Sequence, residues 1–406
     1  MFDALARLPR ELAERLARAR LHAGGDAVDL QPDKLIAAAL ARAGSRDFGD
    51  FDPRPGLEAL LDSLQREARL SPVGHLLTRW DLLRLLGNLA SMARLLRQRP
   101  QIRAGSLPAP WIITGMPRSG STFLHRLLAQ EPNHRVARHF ETIHPPLGAP
   151  RVWRRARVRL ELAGLHLLRP HFNDAHPLGI DTPQECTELT SPAIASLRFD
   201  TTYTAIAYRQ WFDANGAAQA YRFHRSALQL LQYGEAPRRW VLKSPDHVFA
   251  LPALLTEYPD ARLIFTHRDA LEVLPSVINL TILLRSIFSS EIDARAVAVE
   301  VAARWAQGAE HLLAADRLIP PERRIHVHYR DIARQPLQTV ERIYHRFGLT
   351  LSAPARARMQ AFVSRHPDGD YRTPRLRVED FQLNSGGEQR RFAAYRAWIE
   401  APYPER

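Results

Sequence analysis

The chain has 406 residues but a single cysteine, Cys186, and only two lysines, Lys34 and Lys243, among 56 Lys and Arg residues. Cys186 cannot form a disulfide within the chain, which fits a reducing compartment, by default the cytoplasm. No uninterrupted apolar run reaches transmembrane length; Val273 to Leu284 comes nearest and contains Pro, Ser, Asn and Thr. The first stretch, MFDALARLPRELAERLARAR, carries charge of both signs around no apolar core, so it reads as neither a signal peptide nor a membrane anchor. Internal repeats and low-complexity tracts are missing. So is a G-x-S-x-G elbow, which removes a common hydrolase reading. His326 and His328 alternate on one strand without an acidic or Cys companion, so no metal is expected. The formal charge of +13 attracts anions. Its arginines are scattered, however, with no aromatic-interleaved basic strip, so nucleic acid is not an expected partner.

With 45% hydrophobic residues, the chain can bury a large core. Residues 1 to about 105 read as helices, among them KLIAAALARA, GLEALLDSLQREARL and LLTRWDLLRLLGNLASMARLL. Their apolar stripes point to packing rather than chemistry. RAGSLPAP then leads into Trp111, Ile112 and Ile113, a β-branched run suited to a buried strand. A short strand is expected from Val136, and residues 150 to 235 form a helical, aromatic-bearing insertion. RRWVLKS, ARLIFTHR and RRIHVHYR each read as a buried strand followed by a helix. Repeated βα units imply an α/β, P-loop-like three-layer fold with a mostly parallel central sheet. The expected division is a helical N-terminal region, 1–108, and an α/β domain, 109–406.

Between the first strand and the helix of Leu124, Leu127 and Leu128 lies MPRSGST. Gly120 lets backbone approach a ligand closely, and Ser119, Ser121 and Thr122 bring hydroxyls to a helix start, where unpaired N–H groups favour an anion. Aligned on GxxxxGK[ST], residues 115 to 122 read GMPRSGST. Ser121 stands where a triphosphate-binding loop has Lys, and the cation comes earlier, as Arg118. The loop therefore suits a smaller or differently placed anion, without the Lys-Ser/Thr ending that couples to magnesium. Ligands in parallel sheets sit at the carboxyl ends of the strands, where Arg118, Lys243 and Arg268 would converge.

GMPRSGSTF, WVLKSPDH and FTHRDALEVLPS, in that order, resemble the sulfotransferases that use phosphoadenosine phosphosulfate (PAPS), in particular the bacterial group and more distantly the tyrosylprotein sulfotransferases. The likeness runs from about Trp111 to FAAYRAW. It implies that PAPS is the cosubstrate, that Pro117 to Thr122 hold its phosphosulfate, and that Arg268 with Ser276 holds the ribose phosphate. Tyr329 resembles a nucleotide-holding Tyr. Lys243 and Arg118 would supply positive charge to the transferring group, and Glu141 in HFET, 23 residues after Arg118, resembles the catalytic base, with His139, His144 and His247 as rivals. Bacterial relatives often carry a Lys-His-Gly-type turn where this chain reads HPDGDYRTPRLRVEDFQL, so nucleotide contacts from that turn are not carried over. Other readings of the loop are a small-molecule kinase or NTPase and a non-catalytic nucleotide-binding protein.

For the acceptor, TPQECTEL with Phe199, Tyr203, Tyr208, Trp211 and Phe212 suggests an aromatic-lined approach with Glu185 and Glu188 nearby. A small or lipid-like alcohol or phenol is expected. The basic stretch RVWRRARVRLELAGLHLLRP reads first as a solvated helix face, with contact with an anionic membrane surface or gating of the acceptor as the other roles it leaves open.

Overall fold

The computed structural model describes residues 2–22, 29–168, 177–366 and 376–400. Five strands, β1 (Trp111–Gly115), β2 (His134–Arg135), β3 (Arg239–Lys243), β4 (Arg262–His267) and β5 (Arg324–His328), form one sheet in the order β2-β3-β1-β4-β5. Every neighbouring pair is parallel. The short strand expected from Val136 lies just before it, where His134 pairs with Arg239.

Side chains alternate between the two faces of each strand. Trp111, Ile113, Val241, Ile264, Ile325 and Val327 pack on one face beneath α5 (Ser121–Leu128) and the helices Pro336–Arg346 and Ala353–Arg365. Ile112, Trp240, Leu242, Leu263 and Phe265 pack on the other face. That second core also takes in α2 (Pro32–Ala43), α3 (Arg54–Glu67), α4 (Pro72–Gln98) and the helix Ala218–Gln232, so the helical N-terminal residues share a core with the sheet. With both faces covered, the strands read as continuous apolar runs, and each fully buried large side chain contributes roughly 1.5–3 kcal/mol.

Among the described residues one helix, Ala270–Phe288, has the length and mean hydropathy (1.6) of a membrane span. Here its inward residues Val273, Leu274 and Ile278 are buried in the core, and Val277, Leu280, Leu284 and Ile287 line a cavity. A helix covered by protein on one side and facing an apolar cavity on the other has the same composition as one facing lipid.

Candidate functional site

The loop after β1 is shaped by backbone conformations that few side chains allow. Gly115 ends the strand at φ +133°, where a Cβ would lie 2.2 Å from the Thr266 carbonyl oxygen. Arg118 and Gly120 have φ of +59° and +83°. Left-handed residues alternating with ordinary ones make a concave row of backbone N–H groups, and α5 begins immediately after, at Ser121. Arg118 holds this conformation without being glycine, a local cost that clusters at functional loops. A Cβ on Gly120 would lie 3.2 Å from Tyr329 and 3.3 Å from Ile332, both on the cavity wall. Gly120→Ala is therefore expected to lower the melting temperature by a few degrees, from roughly 1–2 kcal/mol of backbone strain and a displaced Tyr329. A melting curve checks it; an unchanged midpoint would show that the loop does not need glycine here.

Ser119 departs from its expected role. Its hydroxyl is fully buried, donates to the Met116 carbonyl and meets Thr266 Oγ1 at 2.7 Å. It ties the loop to β4, leaving Ser121, Thr122 and the backbone to face the cavity.

That cavity, of about 880 Å³, opens at the carboxyl ends of the strands and brings together Pro117, Arg118, Gly120, Ser121, Thr122, Lys243, Arg268 and Tyr329. Its size lies in the range of small-molecule sites. Arg268 Nη1 donates to the Arg118 carbonyl (3.3 Å), and its guanidinium lies 4.2 Å from the Tyr329 ring centre. Its carboxylate partner is Glu272, at 2.9 Å, while Asp269 pairs with Arg396. Ser276, half-buried in the helix after Arg268, is not among the lining residues.

Lys243, the last residue of β3, is only 3% exposed. Its ammonium donates to Thr122 Oγ1 at 3.1 Å and to the Glu185 carboxylate. Glu185 reaches this point because its segment bridges two strand ends. Gln184 N–H donates to Ala137 beyond β2 (2.8 Å), and Cys186 N–H donates to the Lys243 carbonyl (3.0 Å). Cys186 itself is buried, and burial pushes its thiol up to about 12, so it is a packing residue.

Glu141, the expected base, lies away from this cavity. On α6 (His139–Ile143) its carboxylate accepts from Arg138 N–H at 3.0 Å in a capping box and faces Arg135 at 3.7 Å. It borders a separate, arginine-rich cavity of about 480 Å³ rather than the one holding Lys243. Of its rivals, His144 pairs with Glu161 at 2.9 Å. His247 accepts from or donates to Tyr221 Oη at 2.6 Å, and burial holds it neutral. His139 does line the cavity; burial lowers its pKa, and its Nδ1 contacts the Gln184 amide at 3.0 Å.

The expected aromatic approach is also corrected. Phe199, Tyr203, Tyr208 and Phe212 are core residues, none more than 3% exposed. Apolar lining comes instead from Trp80, Leu162, Leu165, Leu280, Leu284 and Phe288. Glu188 reaches the cavity as expected, within a closed ring of charges: Arg84 pairs with Asp81 and Glu188 (2.7 and 3.1 Å), and Arg198 with the same two (2.7 and 3.0 Å). Asp81 and Arg84 were readable only as two opposite charges three apart among the leucines of DLLRLL.

Asp246, on the cavity wall near the end of β3, was not anticipated. Burial, with the Glu185 charge adding to it, pushes its carboxyl from 3.8 up to about 7. The folded state thus holds a proton that the unfolded chain releases first, and stability is lost as pH rises from about 4 to about 7. Asp246→Asn should remove that loss, gaining up to about 4 kcal/mol over wild type above about pH 7 and little near pH 4. Melting temperatures across that range decide it; a pH-independent difference would mean Asp246 is not held protonated.

A parallel α/β sheet with a glycine-bearing loop after its first strand and the cations Arg118, Lys243 and Arg268 gathered at its carboxyl edge is a P-loop-like α/β architecture. More specifically, the chain belongs to the sulfotransferase family, whose profile matches residues 110–353. It is 25% identical, over 66% of its length and 70% of theirs, to the omega-hydroxy-beta-dihydromenaquinone-9 sulfotransferases Stf3 of Mycobacterium bovis and Mycobacterium tuberculosis. Among solved structures it is similar to sulfotransferase STF1 of M. tuberculosis, at a TM-score of 0.80 and 28% identity over 91% of this chain and 100% of that one. It also resembles STF9 of Mycobacterium avium, at a TM-score of 0.82 and 25% identity over 91% of this chain and 97% of that one.

Proposed function

We propose that this sulfotransferase takes its sulfuryl group from PAPS and passes it to the hydroxyl of a lipid-like alcohol or phenol. The observation carrying this reading is the meeting of Lys243, Thr122 and Glu185 at the anion loop, at one end of a cavity whose remaining wall is largely apolar. The loop amides with Ser121 and Thr122 hold the phosphosulfate, and Arg268 against Tyr329 holds the nucleotide beyond it; Ser276 belongs with Arg268 in this reading. Glu185 accepts the acceptor's hydroxyl proton as that oxygen bonds to sulfur. Lys243 then neutralises the bridging oxygen as its bond to sulfur breaks, with Arg118 adding positive charge. Glu185 and Lys243 touch, so the transferring group must part them. A lipid-like acceptor agrees with the apolar lining and with the menaquinone-type substrate in the name of the mycobacterial relatives. A cytoplasmic location and a metal-independent reaction belong to the same reading.

Thermal shift tests the donor. Phosphoadenosine phosphate should raise the melting temperature by several degrees without magnesium, which for micromolar binding is about 2–4 kcal/mol at saturating ligand. Stabilisation by ATP with magnesium instead would transfer the site to a kinase or NTPase reading.

A further inference from the structure

The helix α7 (Arg151–Leu168) has two apolar faces. Its inner side buries Val158 and sends Leu162 and Leu165 into the cavity wall. Its outer side presents Val152, Trp153, Leu160 and Leu167, which are 60–76% exposed. Positions 153, 160 and 167 are seven apart and form one stripe along the helix. The helix α1 (Phe2–His22) packs beside it and adds Leu12 and Leu16, 59% and 64% exposed. Six of the ten exposed large apolar side chains among the described residues therefore stand on one pair of neighbouring helices.

This patch is framed by cations. Arg151, Arg157 and Arg159 on α7 and Arg15, Arg18 and Arg20 on α1 are all exposed. Two of the acidic residues on these helices turn inward: Glu161 pairs with His144 and Arg157, and Glu14 accepts from Ser71 and Val73. We propose that this face docks on an anionic lipid bilayer, with the stripe sunk among the headgroups and the arginines on the lipid phosphates. An amphipathic helix rich in Arg, with Trp and Leu on its apolar side, is suited to that boundary. A second copy of the chain fits less well, because pairing this face with itself would set arginine clusters against each other. Because α7 also walls the acceptor cavity, docking would place a lipid-like acceptor one helix away from Lys243. That consequence rests on the proposed reaction; the docking does not.

Flotation of the full chain with vesicles tests the surface without donor or acceptor. The protein should float with phosphatidylcholine vesicles containing phosphatidylglycerol, less so without it, and less at high salt. The exposed double variant Trp153→Glu/Leu160→Glu should partition about tenfold more weakly or worse, and Arg159→Glu should weaken binding only to the anionic vesicles. Turnover of a water-soluble phenol by both variants should match wild type. Failure of the wild type to float, or equal flotation of wild type and the double variant, would overturn the proposal. So would a wild-type dimer, by light scattering, that the double variant splits, since that would give the face to a second copy. Absence of sulfuryl transfer to any phenol by the wild type would count against the proposed reaction alone and leave the vesicle result standing.

Discussion

Glu185→Gln is expected to lower kcat by about 10²–10⁴, the scale for losing a positioned general base, with little change in affinity for phosphoadenosine phosphate. Glutamine keeps the size of the side chain and a polar oxygen toward Lys243, so the variant should fold and bind normally. What it cannot do is take up the acceptor's proton. Glu141→Gln is the matched control: Glu141 caps its own helix and faces Arg135, so its loss should cost about 1 kcal/mol of stability and leave turnover near normal. Steady-state kinetics with a soluble phenol, nucleotide titration and melting curves on both variants separate the roles. The reverse pattern, an inactive Glu141→Gln and an active Glu185→Gln, would return the base to Glu141. Loss of turnover in His139→Gln with an active Glu185→Gln would give it to the one rival histidine that lines the cavity.

Lys243→Arg should lower kcat about a hundredfold or more, while affinity for phosphoadenosine phosphate falls far less. The reason is partly chemical. A compact ammonium can approach and protonate a leaving oxygen, whereas guanidinium is planar, bulkier and effectively never gives up its proton. It is also geometric, because Lys243 is 3% exposed and wedged between Thr122 and Glu185. Lys34 provides the comparison. It is half-exposed and paired with Asp29 at 2.9 Å, a contact arginine can also make, so Lys34→Arg should be silent. Near-normal turnover in Lys243→Arg, with the fold intact by melting, would remove Lys243 from the chemistry and leave the leaving oxygen to Arg118 and the loop amides.

The loop and the strands were legible because their causes are local. Gly115 and Gly120 stand where the backbone takes positive φ, and the apolar runs at Trp111, Val241 and Ile264 are what a sheet covered on both faces requires. Lys243 stood out for another reason: it is one of two lysines in a chain that otherwise uses arginine, and unlike Lys34 it ends an apolar strand, where a compact ammonium and a planar guanidinium are not interchangeable. Errors came where one residue type serves two ends. Phe199, Tyr203, Tyr208 and Phe212 have the composition of a binding wall and of a core alike, and the difference is only which side of a helix the neighbouring elements cover.

What the sequence by itself determined is the order of βα units, the anion loop and the cations that follow the strands, because dihedral preference and two-residue periodicity act over a few neighbouring residues. Which carboxylate meets Lys243 was decided only by tertiary structure. Glu141 follows β2 closely in the chain, yet its helix turns it to Arg138 and Arg135. Glu185 lies 58 residues from Lys243, and reaches it because backbone hydrogen bonds to Ala137 and Lys243 stretch its segment across two strand ends. The same holds for the buried ring that unites Asp81 and Arg84 of α4 with Glu188 and Arg198. A charge buried away from water must find its opposite, and the partner it finds is set by which elements pack together rather than by distance along the chain.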